Sequence, residues 1–270
     1  MDTKRLENII LLILLLLNAF LLSMVLSERA DARQETDETV EMLTRLLRAN
    51  DIVVGAEADL VQSAPAACTV VRDMELERQR MEGLLGSVNT EDQGGSIWYY
   101  YSNRGQLVMR GTGEMDLLYD GDAVKKRGDP LKAATRLFSR AGLELYADGA
   151  RLSGEELSIC CCWNGYPVYN ARLSFDFSGE QLQLVTGTVV FNTESETGEV
   201  GMDSVTVVTR FVELVTSEGF ICSRLESLTP GYLMTVTRSG ESTLNPVWRI
   251  ATDTGELYIN ALSGQVETVA

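Results

Sequence analysis

The chain has 270 residues, with 39 acidic and 23 basic side chains and no histidine. Without histidine there is no Ser-His-Asp or Cys-His nucleophile system, no HExxH metalloprotease and no carbonic-anhydrase-type zinc site. A formal charge of −16 argues against nucleic acid, which is bound by Lys and Arg on phosphates, while 45% hydrophobic and 23% charged residues are the proportions of a folded protein.

The first element is the uncharged 18-residue run Ile9 to Leu26. As a helix it is about 27 Å long, close to the hydrocarbon thickness of a bilayer. Lys4 and Arg5 precede it, which places the N-terminus in the cytoplasm by the positive-inside rule. A cleaved signal peptide has an apolar region of only about 7–15 residues, so the run is read as an uncleaved anchor, although Ala30-Asp31-Ala32 has the small-x-small form of a cleavage site. The chain is therefore expected to cross the cell membrane once, with its bulk outside. Residues 1–26 carry two bases and two acids, so the whole −16 belongs to the ectodomain. An anionic leaflet repels such a domain. Asn18 lies mid-span, where an amide costs free energy unless it finds a partner, within its own helix or on another.

Residues 27–50 read as a helical stalk. Ser27 to Thr39 has no large apolar residue, and then Val40, Leu43 and Leu47 recur at helical spacing beside an i, i+4 pair of Glu41 and Arg45. Asn50-Asp51 is the expected stop.

Residues 51–270 read as helix-plus-hairpin units over roughly 51–125, 126–195 and 196–270. In the first, Asp73 caps a helix closed at Leu84-Leu85-Gly86, and strands Ile97–Ser102 and Gln106–Arg110 flank a hairpin turn at Asn103-Arg104-Gly105, with Met115–Tyr119 a third strand. In the second, Asp129-Pro130 is an N-cap with proline at the first helical position; Leu131, Ala134, Phe138 and Ala141 line one face and Gly142 ends it. Strands are expected at Leu157–Trp163, Val168–Phe177 and Leu182–Phe191. In the third, Asp203 caps Val205 to Val215, helical by its valine spacing at 205, 208, 212 and 215 despite five successive β-branched residues, and Gly219 closes it. Strands follow at Tyr232–Arg238, Val247–Ala251 and Glu256–Asn260. Pro167-Val168 and Pro246-Val247 each open a strand at similar distances from the helix-closing glycines. The outcome is an α+β fold of antiparallel sheet with helices on one face.

Little in this pattern carries chemistry. Five cysteines include three in a row on a predicted strand, where neighbours cannot pair without distortion; they read as small buried hydrophobes, with a bridge such as Cys161–Cys222 left open. The lysines beyond the anchor are Lys125, Lys126 and Lys132, and Lys125-Lys126-Arg127 reads as a solvated turn. There is no GxSxG, P-loop or GxGxxG, and no cofactor is expected. Trp98-Tyr99-Tyr100-Tyr101 alternate across a strand, with core packing as the bland reading and a binding surface as the other. Trp248 and Arg249 are candidates for an ectodomain contact.

Two stretches carry a family resemblance. Lys4 followed by Leu16-Leu17-Asn18-Ala19-Phe20-Leu21-Leu22 resembles the start of YycI proteins, and Asn245-Pro246-Val247-Trp248-Arg249-Ile250 with Asp253-Thr254-Gly255-Glu256-Leu257 through Gly264 is similar to the closing strands of YycI and YycH proteins and of PepSY-type modules. The resemblance implies a regulator rather than an enzyme: a bitopic protein with tandem PepSY-like units that acts on a sensor histidine kinase of the WalK (YycG) type in cell-wall homeostasis. It implies kinase transmembrane helices and a YycH-like protein as partners, with Asn18, Phe20 and Ser23 as the contact surface in the span. The alternatives are an envelope-anchored PepSY-like module that binds or inhibits a peptidase, and a carboxylate-based wall hydrolase.

Overall fold

The computed structural model describes residues 17, 18, 21, 22, 24, 34–56, 58–121, 123–126, 128–190, 193–236 and 241–269. Most of the apolar run lies outside them, and among the described residues no helix is long and apolar enough to cross a membrane. Leu17, Asn18, Leu21, Leu22 and Met24 are helical and exposed.

Helix α1 occupies residues 34–49. Its Leu43 and Leu47 are fully buried, and the Glu41–Arg45 pair stays in solvent. Asp51, at φ 59°, takes the left-handed conformation that ends the run. The remaining elements are β1 (Val53–Val54), β2 (Ala66–Val71), α2 (Met74–Leu85), β3 (Asn89–Gly94), β4 (Ile97–Ser102), β5 (Gly105–Arg110), β6 (Glu114–Tyr119), α3 (Pro130–Arg140), β7 (Glu144–Ser153), β8 (Glu156–Trp163), β9 (Tyr166–Ser178), β10 (Gln181–Thr188), β11 (Thr193–Val200), α4 (Ser204–Ser217), β12 (Arg224–Val236), β13 (Ser242–Thr252), β14 (Gly255–Asn260) and β15 (Val266–Glu267).

The three expected caps are in place. Asp73 accepts from the backbone NH of Glu75 and Leu76, Asp129 from Lys132, and Asp203 from Thr206. Each satisfies donors that the first turn leaves without an intrahelical partner. The helix α4 forms from poor helix formers because packing outweighs propensity. Its buried stripe is Val207, Val208, Phe211, Val212 and Leu214, with Val205 and Val215 only half-buried, so the apolar face is rotated from the expected one. Thr209 and Thr216 return their hydroxyls to the carbonyls of Val205 and Val212, which leaves no polar group unmet on the turns.

The strands form one 15-stranded sheet along the path β11-β2-β13-β12-β9-β10-β6-β5-β4-β3, with β14 and β15 continuing from β13, and β8 and β7 from β9. Neighbours are antiparallel except β1–β12 and β12–β9; the latter is joined at a single register pair, Tyr232 with Val168. Two apolar cores flank that junction. One gathers α2 and α3 over β4 to β10, around Phe138, Phe175 and Leu173. The other gathers α1 and α4 over β12 to β14, around Phe211, Trp248 and Ile250. The stretches 51–125, 126–195 and 196–270 are not separated by any break in this sheet: β2 lies between β11 and β13, and β6 pairs with β10.

Several expectations need correction. Proline does not open β13: Pro246 is internal to it, at the hand-over where β2 (opposite Ser242 to Leu244) gives way to β14 (opposite Val247 to Thr252). The Pro246 carbonyl accepts from Ala261 on that side, so its missing NH falls in the gap and costs no ladder bond. The strand β12 starts at Arg224, well before Tyr232, and β7 was not foreseen. None of the five cysteines forms a disulfide. Cys161 belongs to the α2/α3 core and Cys222 packs against the α1/α4 core, so they form no bridge. Tyr100 is fully buried, and Tyr99 and Tyr101 stack on the opposite face with ring centroids 5.4 Å apart. Beneath α2, the buried Glu77 is held by Arg72 and Tyr100. Gly187 sits where β10 crosses β9 so closely that a Cβ would lie 2.0 Å from the Arg172 carbonyl oxygen.

Candidate functional site

Lys4, Arg5, Phe20 and Ser23 lie outside the described residues, and Asn18 is exposed on its helix. Trp248 is not a contact residue. It is fully buried in the α1/α4 core, and its indole NH donates to the Met202 carbonyl at 2.9 Å. Arg249 is next along β13 and faces the opposite side of the sheet, so period-2 alternation puts one in the core and the other at the surface.

There Arg249 lines a groove of about 990 Å³ at the seam between the two cores, walled by β7, β8 and β9 on one side and β12, β13 and β14 on the other. Glu256 of β14 holds it with two bonds, Nε to Oε2 at 3.0 Å and Nη2 to Oε1 at 2.5 Å. Arg151 reaches Oε1 from β7 at 3.3 Å, so this carboxylate also bridges the seam. The Tyr258 hydroxyl donates to Glu256 Oε2 at 3.2 Å. The Tyr169 and Tyr258 rings meet edge-on at 5.1 Å, and Tyr169 donates to the Thr229 carbonyl at 3.0 Å. Deeper in, Arg172 donates to Cys160 Sγ at 2.9 Å and to Ser158 Oγ at 3.2 Å.

The groove opens because β7 is irregular. Tyr146 pairs with Cys160 and Arg151 with Ser158, so five steps along β7 match two along β8. Ala147-Asp148-Gly149-Ala150, four residues against the single Ile159 of β8, bow out, and Asp148, Gly149 and Ala150 form part of the wall. A backbone bowed in this way does not pair with the strands opposite.

Hydrogen bonds from Arg249 hold the Glu256 carboxyl below the usual range, and the same contact raises the Arg249 guanidinium. Burial pushes the Tyr146, Tyr169 and Tyr258 phenols up, so they stay protonated and able to donate. Burial also raises the Cys160 thiol, more than Arg172 lowers it. The thiol donates to the Tyr169 carbonyl at 3.8 Å. A protonated, buried sulfur is a poor nucleophile. Among the described residues, no group of three His, Cys, Asp or Glu side chains could hold a metal ion. The groove is lined by phenols and guanidinium groups that already donate within the protein, to Glu256, the Thr229 carbonyl, Cys160 and Ser158.

Only Arg249 of this groove was singled out from the sequence. Glu256 was within reach by hairpin arithmetic: with the turn at Asp253-Thr254, Arg249 faces Tyr258, and Glu256 is its diagonal neighbour on the same face. Tyr146, Arg151 and Arg172 had no such signal.

The chain is thus an α+β protein, mostly sheet, with four helices among its described residues. No protein-family model and no curated protein matches the sequence. Two solved structures are similar in part. One is an uncharacterized protein from Eubacterium rectale, 7% identical, with a TM-score of 0.46 over 81% of this chain and 90% of that one. The other is the C-terminal domain of YpeB from Bacillus megaterium, 10% identical, with a TM-score of 0.39 over 74% of this chain and 99% of that one.

Proposed function

We propose that the chain is a membrane-anchored regulatory protein of the YycI/YycH kind, which controls a sensor histidine kinase of the WalK (YycG) type by contact rather than catalysis. In this reading it spans the cell membrane once at Ile9 to Leu26 with its N-terminus in the cytoplasm, and a YycH-like protein is a second partner. One observation carries it. The β13–β14 pair presents Trp248, Ile250, Leu257 and Ile259 to the core that holds Leu43 and Leu47 of α1, and presents Arg249, Glu256 and Tyr258 to the groove. The helix leading from the apolar run and the candidate contact surface therefore pack on opposite faces of the same two strands. A partner that shifts the groove displaces the strands on which the stalk is seated, and interiors packed this densely transmit displacement. Asn18, Phe20 and Ser23 would meet the kinase's own helices.

The full-length chain, purified from membranes in non-ionic detergent, is expected to bring the kinase with it, and Asn18→Leu is expected to weaken the association in a membrane two-hybrid assay. Replacing residues 1–26 by an unrelated apolar span should release the kinase. Retention after that exchange would remove the transmembrane contact, and a wild-type chain that brings down no kinase would remove the proposal.

A further inference from the structure

We infer that the groove between α3, residues 123–126 and the β4–β5 turn binds a small ligand carrying several negative charges on phosphate groups. The inference is independent of the kinase reading, because this groove lies away from the seam and from the apolar run.

The groove has a volume of about 510 Å³ and is lined by Arg104, Lys125, Lys126, Lys132, Arg136 and Arg140, against one carboxylate among the described residues, that of Asp129. Three of the four lysines in the chain are here. In a protein of net charge −16, six cations around one concavity run against the composition, and holding them together costs self-repulsion. Elsewhere many arginines draw on the surplus acid: Arg45, Arg72, Arg78, Arg110, Arg210 and Arg249 each pair with a carboxylate. In the groove Lys132 pairs with Asp129 at 3.2 Å, while among the described residues no carboxylate lies within ion-pair distance of Arg136 or Arg140. The structure spends no internal acid on them.

The cations come from three separately anchored elements. Lys132, Arg136 and Arg140 are spaced at i, i+4 and i+8, so they rise along one face of α3, while Ala134, Leu137 and Phe138 fix that helix on the core. Residues 123–126 are tied to the β9–β10 turn by Leu182 NH to the Val124 carbonyl at 3.0 Å and Lys126 NH to the Glu180 carbonyl at 2.9 Å. Arg104, from the β4–β5 turn, donates to the Ala123 carbonyl at 3.1 Å, which holds its guanidinium against the groove. The backbone that carries the cations is thus fixed, and the Arg104 guanidinium is already held in place, which limits the freedom lost on binding.

Size and field decide the kind of anion. Sites for small molecules occupy about 300–1,000 Å³, and this groove falls within that range. A long polyanion, an anionic bilayer or an acidic protein would have to lie along the surrounding acidic surface and be repelled by it. A compact anion enters this positive concavity without meeting that surface. Phosphate is favoured over a single carboxylate because guanidinium pairs from Arg136 and Arg140 match its several oxygens bidentately. Val124 and Leu137 add an apolar floor for an organic portion.

The test uses the full chain in uncharged detergent, titrated calorimetrically with inorganic pyrophosphate, inorganic phosphate, succinate and a hexaglutamate peptide. Pyrophosphate is expected to bind at one site, more tightly than phosphate or succinate, and to raise the melting midpoint. The double variant Arg136→Ala/Arg140→Ala should weaken it by about 10-fold or more, whereas Arg136→Lys/Arg140→Lys should keep more of the affinity and Arg45→Ala all of it. Both groove arginines are exposed, and an unchanged melting midpoint without ligand verifies that the double variant folds. Absence of saturable pyrophosphate binding at millimolar concentration would overturn the inference. So would an affinity unchanged in the double variant, or hexaglutamate binding more tightly than pyrophosphate.

Discussion

Removing the Arg72 guanidinium should be among the most damaging single changes available. Glu77 is 1% exposed, and three bonds hold its carboxylate: Arg72 Nε to Oε2 at 2.6 Å, Arg72 Nη2 to Oε1 at 2.7 Å and the Tyr100 hydroxyl to Oε1 at 2.8 Å. Arg72 Nη1 also donates to the Ser96 carbonyl at 2.9 Å, so it links α2 to the β3–β4 turn. Arg72→Ala leaves a buried carboxylate with one phenol for company, which costs about 3–5 kcal/mol when one partner of a buried pair is lost. Domains are stable by only about 5–15 kcal/mol, so the loss is a large share of the whole. Tyr100→Phe removes one bond of the three and should cost about 1.5–3 kcal/mol. Replacing both charges, Arg72→Met with Glu77→Leu, should recover part of the loss, because an apolar pair of similar volume carries no charge to desolvate, while the buried Tyr100 hydroxyl is left without its acceptor. Urea unfolding followed by tryptophan fluorescence gives the three differences and their coupling. If Arg72→Ala costs under about 1 kcal/mol, water reaches Glu77 and the burial argument fails. If the double variant is as unstable as the single one, lost shape rather than lost charge is responsible.

Gly187→Ala should destabilise the fold by several kcal/mol, since the new Cβ overlaps the Arg172 carbonyl and the φ of 132° suits only glycine; wild-type-like urea unfolding would contradict the close crossing of β10 and β9. Leu47→Ala should cost about 2–5 kcal/mol and raise protease cleavage within residues 34–49, because α1 is held by Leu43 and Leu47. Arg249 lowers the Glu256 carboxyl in the folded state, so the ion pair's stabilisation is complete above the usual carboxylate range and is lost as pH falls through the lowered value. Wild type should therefore lose more stability between neutral and strongly acidic pH than Arg249→Ala does, and equal losses would refute the pairing. Iodoacetamide should label native Cys68, Cys160 and Cys161 far more slowly than Cys222, since all three are buried and burial pushes the Cys161 thiol up to about 12; mass spectrometry after limited labelling reads the order.

Local chemistry was legible wherever one residue type has one structural use. Asp73, Asp129 and Asp203 announced their helices because a side-chain acceptor before an apolar periodicity satisfies orphan NH groups. The hairpin at Asn103-Arg104 and the turn before Gly255 were legible for the same reason. What escaped was set by partners distant in sequence. β7 carries Ala147-Asp148-Gly149-Ala150, which reads as a loop, and it is a strand because its two ends pair with β8 on either side of the bow. β12 runs through Pro230 and Gly231, which local rules treat as breaks; Gly231 is required where the Pro167 carbonyl oxygen would lie 2.6 Å from a Cβ. The seam groove joins Arg151 to Glu256 and Arg172 to Cys160 across pairings that no local window contains. The basic groove was half visible: Lys125-Lys126 read as a solvated turn, and only the fold brings Arg104 to face Arg136 and Arg140 across it.

The two ends of the sheet path have a consequence for how copies of the chain coexist. β3 and β11 are its outermost strands, and a long strand with unpaired backbone is a template on which another molecule can add. Here the template is charged: Glu91 and Asp92 stand exposed on β3, and Glu196 and Glu199 on β11. Two such borders approaching each other bring acid against acid before any backbone bond can form. The acid at these borders therefore disfavours edge-to-edge addition of one copy of the 15-stranded sheet to another.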